Sequence, residues 1–417
     1  MLALIPLLCV VPVILGVSLQ DNYGYDQFHF EFEDLDQEPL GTAPTPVQRA
    51  ESLGYFAETH EVVTEDGYIL QMHRIMGSRK SPRADNKPAV LVVHGLLDCS
   101  AGWVVAIPEK SLGYILADWG YDVWLASIRG TRYSRNHKWL TTKDSRYWMF
   151  SWHEIGFYDL PAMIDGILNV TKQKKILYIG FSQGGTSFLV MASERPEYQE
   201  KLEAAFPLAP ASFMSHTTNP FIQLLAPHAN NLNELASLIG MHEFQPSGKL
   251  LQTIAGKMCS DPIIGKLCSS LLILIAGKND KQLNTTLIPE ILQYSPAGAG
   301  TRQFVHYAQL INSGNFAQYD HGLIGNMKQY GHIRPPKYNL DRIKMPVYIF
   351  YGSNDEFVSV KDINKLYNMM PNAERFLVPY KWFTHLDFMW AKNVDTMLYN
   401  RLVSLMERHR KNLLTSN

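Results

Sequence analysis

Short apolar runs alternate with stretches of helical periodicity along most of the chain. The runs occupy residues 89–93, 121–127, 176–179, 204–208, 347–351 and 375–378. They are apolar on both faces, which is typical of strands that lie inside a parallel sheet covered by helices. We therefore predict an α/β fold with a mostly parallel central sheet.

The first predicted strands form a hairpin. Residues VVTEDGYILQMHRI contain two strand-like stretches joined by Asp66-Gly67. An Asp-Gly pair in this position is a strong signal for a tight turn between antiparallel strands. The core of the fold is expected to begin near Gly54, shortly before this hairpin.

The alternation of strands and helices is interrupted once, over residues 211–336. This stretch is mostly helical and loop-like in pattern, and it is rich in leucine, isoleucine and phenylalanine. We interpret it as a cap, or lid, inserted over the ends of the strands. The core then consists of residues 54–210 and 337–417.

The N-terminal residues read as a leader rather than as part of the fold. Residues 1–18 are apolar throughout and end in small residues, a pattern that predicts a cleaved secretory signal. The alternative is a membrane anchor, but Pro6 and Pro12 interrupt a run that is shorter than the ~20 residues of a bilayer span. Residues 19–53 include an acidic stretch and are interpreted as a leader or pro-segment. The mature chain is expected to contain no transmembrane segment.

Net charge excludes partners that would need a global basic field. The chain has 417 residues, with 38 Lys and Arg against 39 Asp and Glu. A net charge of −1 provides no global basic field that could hold a nucleic-acid backbone or an anionic membrane. We therefore expect no nucleic-acid partner and a ligand that is neutral or recognised locally.

Cysteine usage agrees with a secretory route. If Cys9 leaves with the signal, three cysteines remain, and the close pair Cys259 and Cys268 can close a small loop in an oxidising compartment. Cys99 would then be an odd, free thiol. The paired spacing of a zinc site is absent, so no metal is expected.

Two glycosylation sequons also indicate a secretory route. They begin at Asn169 and Asn284, and such sites are modified in the secretory pathway. The predicted destination is extracellular or lysosomal.

The candidate nucleophile is Ser182, in the segment ILYIGFSQGGTS. An apolar strand-like run precedes it and a helical pattern follows it, so the chain must turn sharply at this serine. Gly180 and Gly184 leave room for such a turn, and the G-x-S-x-G pattern between a strand and a helix is typical of a nucleophile elbow. We predict that Ser182 is catalytic rather than a simple turn residue.

A serine nucleophile needs a base and a carboxylate, and both should follow it in the chain. Asp355 lies after the predicted strand in VYIFYGSNDEF, and His385 lies after the last strand in YKWFTHLDF. These two are our candidates for the acid and the base. Asp387 is the competing acid, although it lies so close to His385 that local hydrogen bonding is its more natural role.

Two backbone amides should stabilise the oxyanion of the tetrahedral intermediate. One is expected from Gln183, directly after the nucleophile. The other is expected from Leu96 in the loop VVHGLLDCS. We interpret His94 in the same loop as a structural residue rather than as a second base.

Several long segments together resemble one family, the acid lipases, which include gastric lipase and lysosomal acid lipase. The segments are HGLLD, GYDVWLASIRGTRYSR, FSWHEIGFYDLPAMIDGIL, GFSQG, PPKYNLDRIKMPV and HLDF. The resemblance runs from about Gly54 to near the C-terminus. It implies an α/β-hydrolase fold with a lidded cap, hydrolysis of triacylglycerols or cholesteryl esters, and no cofactor.

The resemblance also bears on individual residues. It supports Ser182, Asp355 and His385 as the triad, and Leu96 with Gln183 as the oxyanion hole. It supports a bridge between the two cap cysteines at 259 and 268. Two positions depart from the family pattern. Phe181 stands where family members often have histidine, and Ala276 stands where we would look for a free cap cysteine.

The expected substrate is a neutral lipid ester at a lipid–water interface. A cap rich in large apolar residues either packs down over the site or opens onto a lipid surface. Two alternatives remain open at this stage. One is a carboxylesterase that acts on small soluble esters, and the other is a non-catalytic lipid-binding or storage protein built on the same fold.

Overall fold

The computed structural model describes residues 43–228, 241–244, 281–282 and 284–415 of the chain. Its strands, in chain order, are β1 (Phe56–Val63), β2 (Tyr68–Gly77), β3 (Ala89–Val93), β4 (Asp122–Ala126), β5 (Asn136–His137), β6 (Ile176–Phe181), β7 (Leu202–Leu208), β8 (Glu243–Phe244), β9 (Ala299–Gly300), β10 (Val347–Tyr351) and β11 (Ala373–Leu377). All of these except β8 and β9 belong to one sheet, and β8 pairs with β9 in a second, small one.

Helices cover this sheet and connect its strands. In chain order they are α1 (Pro46–Ser52), α2 (Leu112–Asp118), α3 (Trp152–Glu154), α4 (Leu160–Thr171), α5 (Gln183–Glu194), α6 (Pro220–Leu225), α7 (Ile288–Leu292), α8 (Thr301–Ser313), α9 (Gly322–Tyr330), α10 (Val360–Tyr367), α11 (Asp387–Trp390) and α12 (Asn400–Thr415). A π-helical turn, Ile155–Asp159, joins α3 to α4, and a second one, Asp395–Tyr399, leads into α12.

The central strands confirm the predicted parallel core. The sheet order is β1-β2-β4-β3-β6-β7-β10-β11, and the strands from β4 to β11 along that order all pair in parallel. Every residue of β3, β4, β6 and β10 is buried. Strands buried on both faces have no polar side, which is why their sequences read as continuous apolar runs.

The predicted hairpin is also present. Strands β1 and β2 pair antiparallel, with Val63 opposite Ile69. Gly67 has a φ of +100°, a left-handed conformation that glycine adopts without the steric penalty of a side chain. The Asp-Gly pair therefore forms the turn where the sequence placed it.

Helix α1 lies ahead of Gly54, the expected start of the core. Thr45 caps it through a reciprocal capping box with Gln48, which satisfies two otherwise unpaired amides. Ala50 is fully buried, and Arg49 donates from Nη2 to the carbonyl of Val105 at 2.6 Å. The packed structure thus includes residues that the apolar strand pattern alone did not reveal.

A buried arginine fixes the connection that follows β4. Arg129 is 1% exposed; its Nε donates to Asp159 Oδ1 at 2.7 Å and its Nη1 to Asp66 Oδ2 at 2.6 Å. Two carboxylates around one guanidinium satisfy a charge that would otherwise be costly to bury. Arg129 therefore connects Asp66 in the hairpin turn to Asp159, the residue directly before helix α4.

The stretch predicted as an insertion, 211–336, leaves the sheet after β7 and returns at β10. Its described part contains α6 to α9 and the small pair β8 and β9. The predicted signal, most of the acidic leader, and the Cys259–Cys268 bridge lie outside the described residues. Among the helices that are described, none is both long enough and apolar enough to cross a membrane.

Candidate active site

Ser182 lies at the sharp turn between β6 and α5. Its φ is +49° and its ψ is −111°, a strained conformation for a residue with a side chain. The amide of Ser182 donates to the carbonyl of Leu208 at 2.8 Å, which fixes the turn to the neighbouring strand. The hydroxyl is therefore presented at the carboxyl edge of the sheet.

The two flanking glycines are required by close backbone contacts. A Cβ added to Gly180 would lie 2.6 Å from the carbonyl carbon of Gly184. A Cβ added to Gly184 would lie 2.6 Å from the carbonyl oxygen of Val93 on β3. Neither backbone can move away without disturbing the sheet, so the G-x-S-x-G spacing is a packing requirement of this turn.

Ser182, His385 and Asp355 form one chain of hydrogen bonds. His385 Nε2 lies 2.9 Å from Ser182 Oγ, and His385 Nδ1 lies 2.7 Å from Asp355 Oδ2. The carboxylate can only accept, so Nδ1 carries the proton and Nε2 accepts from the hydroxyl. The structure thus brings together the three residues that the sequence placed on separate loops.

Asp355 is held rigidly in the loop after β10. Its second oxygen, Oδ1, accepts from the amides of Phe357 at 2.9 Å and Val358 at 3.0 Å. The side chain of Asp355 is fully buried and that of His385 is 9% exposed. The two backbone donors orient the carboxylate so that its other oxygen faces the imidazole.

Asp387, the competing acid, is used locally. Its Oδ2 accepts from the amide of Thr384 at 2.7 Å, at the start of α11. This bond runs back from the first residue of α11 to the loop that precedes the helix. Asp387 therefore shapes the loop that carries His385, while Asp355 is the residue that contacts the imidazole.

The loop after β3 packs directly against the nucleophile turn. A Cβ on Gly95 would lie 3.1 Å from the Phe181 ring and 3.2 Å from Ser182 Cβ. This close approach brings the next residue, Leu96, beside the turn. Gln183 is the first residue of α5, a position whose amide has no acceptor within the helix. Both predicted oxyanion residues thus belong to segments that meet at Ser182.

His94 is a structural residue of this loop. Its Nδ1 donates to the carbonyl of Gly95 at 2.8 Å, and its Nε2 accepts from the amide of Ile128 at 3.3 Å. Burial lowers the pKa of His94 to about 4, so the ring is neutral and both nitrogens are occupied. It connects the loop to the residue before Arg129.

The sequence did not single out Asp98, which is buried in the same loop. Its Oδ1 accepts from the Ser295 hydroxyl at 2.5 Å, and the neighbouring carbonyl of Leu97 accepts from the amide of Ala297 at 2.7 Å. Burial raises the pKa of the Asp98 carboxyl to about 6. The segment that contains Ser295 and Ala297, distant in the chain, therefore packs over this loop and excludes water from the Asp98 carboxyl.

Two aromatic rings pack beside the imidazole of His385. The ring centroid of Phe181 lies 4.9 Å from that of His385, and the centroid of Phe357 lies 5.1 Å from it. Phe181 is the position at which the resembled family often has histidine. Its ring is tilted by 37° against the imidazole and occupies space beside it.

The remaining candidate residues take no part in the hydrogen bonds of Ser182, His385 and Asp355. Cys99 is a free, fully buried thiol whose pKa is raised by burial. Asn169 is exposed on α4, and Asn284 is half-buried, with its Oδ1 accepting from the Thr286 hydroxyl at 2.7 Å. No group of histidine, cysteine, aspartate and glutamate in the described part of the chain could hold a metal ion.

Family comparisons agree with the fold. A model described as "alpha/beta hydrolase fold" matches residues 88–231, and one described as "Partial alpha/beta-hydrolase lipase region" matches residues 47–107. Among solved structures, a putative lipase from Sulfolobus solfataricus has a TM-score of 0.57 at 15% identity, with 85% of this chain and 94% of that chain covered. A putative lipase from Acinetobacter baumannii has a TM-score of 0.51 at 15% identity, covering 88% and 95%. At this identity the likeness concerns the fold.

Curated relatives are much more similar in sequence. Lipase 3 of Drosophila melanogaster is 42% identical over 364 residues, which is 87% of this chain and 92% of that protein. Gastric triacylglycerol lipase of Mus musculus is 35% identical, covering 85% and 89%. Lysosomal acid lipase/cholesteryl ester hydrolase of Homo sapiens is 34% identical, covering 86% and 89%. The similarity thus extends over nearly the whole of each relative.

Proposed function

Because the chain belongs to the acid lipase family of α/β-hydrolases, we propose that it is a carboxylic ester hydrolase that cleaves neutral lipid esters. The observation that carries the proposal is the hydrogen-bonded chain from Ser182 through His385 to Asp355. Two relatives are named for triacylglycerol and cholesteryl ester hydrolysis, and these are the substrate classes we assign.

In the acylation step, Ser182 Oγ attacks the ester carbonyl carbon while His385 Nε2 takes the hydroxyl proton. Asp355 keeps the proton of the resting imidazole on Nδ1 and stabilises the imidazolium that forms. The imidazolium then donates its Nε2 proton to the departing alcohol. The fatty acyl group remains on Ser182 as an ester.

The oxyanion of the tetrahedral intermediate is assigned to the backbone amides of Leu96 and Gln183. Backbone donors suit this role because they are held in place before the reaction begins, and removal of one such donor typically lowers turnover by about 10²–10³. The dipole of α5 adds to the effect, since its positive end lies at Gln183.

Deacylation uses the same residues in reverse order. His385 Nε2 removes a proton from a water molecule, the resulting hydroxide attacks the acyl carbonyl, and the proton returns to Ser182 Oγ as the fatty acid leaves. The cycle needs no redox step and no metal. We assign it no cofactor.

The surroundings of the site are assigned as follows. Residues 211–336 form a cap over the site and admit substrate from a lipid–water interface. The protein follows the secretory pathway to an extracellular or lysosomal destination, and Asn169 and Asn284 are glycosylated. The apolar leader at 1–18 supports this route.

The test is Ser182→Ala, with Ser193→Ala as a matched control. Ser193 lies in α5, the helix that follows Ser182, and its hydroxyl donates to the carbonyl of Val190 at 3.0 Å. We expect Ser182→Ala to lose turnover by about 10⁴–10⁶ and all labelling by a fluorophosphonate. The control should keep both. Retained turnover in folded Ser182→Ala would refute the assignment.

Substrate class requires a separate measurement. Wild-type protein is compared on emulsified long-chain triacylglycerol and cholesteryl ester and on a dissolved short-chain ester. A lipase should turn over the emulsified substrate faster once an interface forms. Activity confined to the dissolved ester would indicate a small-ester carboxylesterase, and labelling without turnover of either would indicate a lipid-binding role.

A further inference from the structure

Helix α9 turns its apolar side chains outward. Leu323 is 70% exposed, Ile324 is 88% exposed and Met327 is 51% exposed. The buried side chain of this helix is Asn326, at 1%. A surface helix normally buries its apolar face against the core, so the arrangement in α9 is inverted.

The inverted orientation is fixed by the buried amide. Asn326 Nδ2 donates to Asp320 Oδ1 at 2.7 Å and to the carbonyl of Ile333 at 3.1 Å, and its Oδ1 accepts from the amide of His321 at 2.9 Å. These bonds join the segments before and after the helix. Rotating α9 to bury its leucine and isoleucine would break all three bonds.

The exposed apolar side chains are neighbours on the helix. Leu323 and Met327 are four residues apart, and Ile324 and Met327 are three apart, so they share one side. Ile333, which is 55% exposed, follows the helix. We call Leu323, Ile324, Met327 and Ile333 the outer apolar surface.

Positive charge accompanies this surface. Between residues 318 and 337 the cations are Lys328, Arg334 and Lys337, and the one acid is Asp320. Asp320 Oδ1 already accepts from the amide of Gly322 at 2.8 Å and from Asn326. Within the described part of the chain, neither Lys328 nor Arg334 has a carboxylate partner at ion-pair distance.

We propose that the outer apolar surface docks onto a lipid surface that carries negative charge. Apolar side chains beside unpaired lysine and arginine are the combination that binds the boundary between acyl chains and anionic headgroups. The residues involved are distinct from Ser182 and its partners. The inference deepens the proposed function and rests on it only in the choice of a lipid as the partner.

The test measures binding without catalysis. Full-length protein carrying Ser182→Ala is mixed with vesicles of phosphatidylcholine, alone or with phosphatidylserine, and the bound fraction is measured by flotation. We expect stronger binding to the mixed vesicles, weakened by salt because the cations are exposed. Adding Ile324→Glu should weaken binding by about tenfold or more, since one large apolar side chain no longer inserts.

Ile107→Glu is the matched control, because Ile107 is also an exposed isoleucine, at 62%, and lies outside the outer apolar surface. Its binding should stay close to that of the parent. Equal losses from Ile324→Glu and Ile107→Glu, or no loss from Ile324→Glu, would overturn the proposal. Lipid-free sedimentation is run on the same proteins, and a parent dimer abolished by Ile324→Glu would assign the surface to self-association instead.

The same substitutions in protein with intact Ser182 separate this inference from the proposed function. Ile324→Glu should keep the turnover of a dissolved ester and lose turnover of an emulsion. If the unsubstituted protein hydrolyses neither ester, the proposed function fails while the vesicle result stands. If it hydrolyses both and Ile324→Glu changes neither rate nor binding, only the surface assignment fails.

Discussion

Replacing Asp98 by asparagine is expected to remove one source of pH dependence from the stability of the fold. In the folded protein the pKa of Asp98 rises from 3.8 to about 6, because the carboxyl is buried and has one hydroxyl partner, Ser295. In the unfolded chain the group returns to its ordinary value. Between these two pH values the folded protein holds a proton that the unfolded chain has released.

The difference between the folded and unfolded pKa values of Asp98 sets the direction and the size of the expected change in stability with pH. A folded state that binds more protons loses stability as pH rises, so the contribution of Asp98 is lost between about pH 4 and about pH 6 and is constant above that. A pKa difference of about 2 corresponds to about 3 kcal/mol. Asp98→Asn stays neutral, so its free energy of unfolding relative to wild type should rise by about 3 kcal/mol between pH 4 and pH 7.

The groups packed around Asp98 should not obscure this effect. Burial raises the pKa of the Cys99 thiol and of the Tyr133 phenol, so both stay neutral over the range. Other groups that titrate in the range are shared by both proteins and cancel in the difference.

The assay is urea unfolding followed by tryptophan fluorescence at several pH values, with the free energy obtained by linear extrapolation. Asp85→Asn is the control, because Asp85 is exposed and is solvated in both states. Its difference from wild type should stay flat with pH. A flat difference for Asp98→Asn as well would show that Asp98 is not held neutral, and the account of the clamped loop would fail.

Two further predictions concern the site. Asp355→Asn should lower turnover by about 10⁴, because the amide leaves the imidazole in the wrong tautomer, and Asp387→Asn should lower turnover far less. Steady-state kinetics measures both variants. The opposite ranking in folded proteins would assign the role of the acid to Asp387. Gly184→Ala should destabilise the fold by about 1–3 kcal/mol or more, since its Cβ meets the Val93 carbonyl. Gly300→Ala, whose Cβ would make only ordinary contacts, should shift the urea midpoint much less, and equal shifts would contradict the packing argument.

The strands and the three residues of the hydrogen-bonded chain, Ser182, His385 and Asp355, could be predicted from sequence because each depends on a local pattern. Buried parallel strands are apolar on both faces, and the turn at Ser182 requires glycine on both sides. The order of strands then places the acid and the base on loops at one edge. Asp355 was chosen over Asp387 because it follows a predicted strand, whereas a residue two positions from His385 is better suited to a local hydrogen bond.

The features that sequence did not predict depend on contacts between distant segments. Asp98 is buried because Ser295 and Ala297 close over its loop, and no pattern near Asp98 indicates this. Helix α9 was not singled out because its apolar residues face outward and glycines lie within and beside it. Periodicity indicates a buried face only when the apolar side is the one that packs.

The position of the insertion has a consequence for how the family can diversify. Strands β7 and β10 are adjacent and parallel, with Ala205 opposite Val347 and Leu208 opposite Phe350. The chain therefore leaves the sheet and re-enters it at neighbouring strands, after Ser182 and before Asp355. The free-energy cost of closing a loop rises slowly with its length, by about 0.6 kcal/mol for each doubling. The intervening segment can thus be lengthened, shortened or exchanged at little cost, while the sheet continues to hold Ser182 and Asp355 in register.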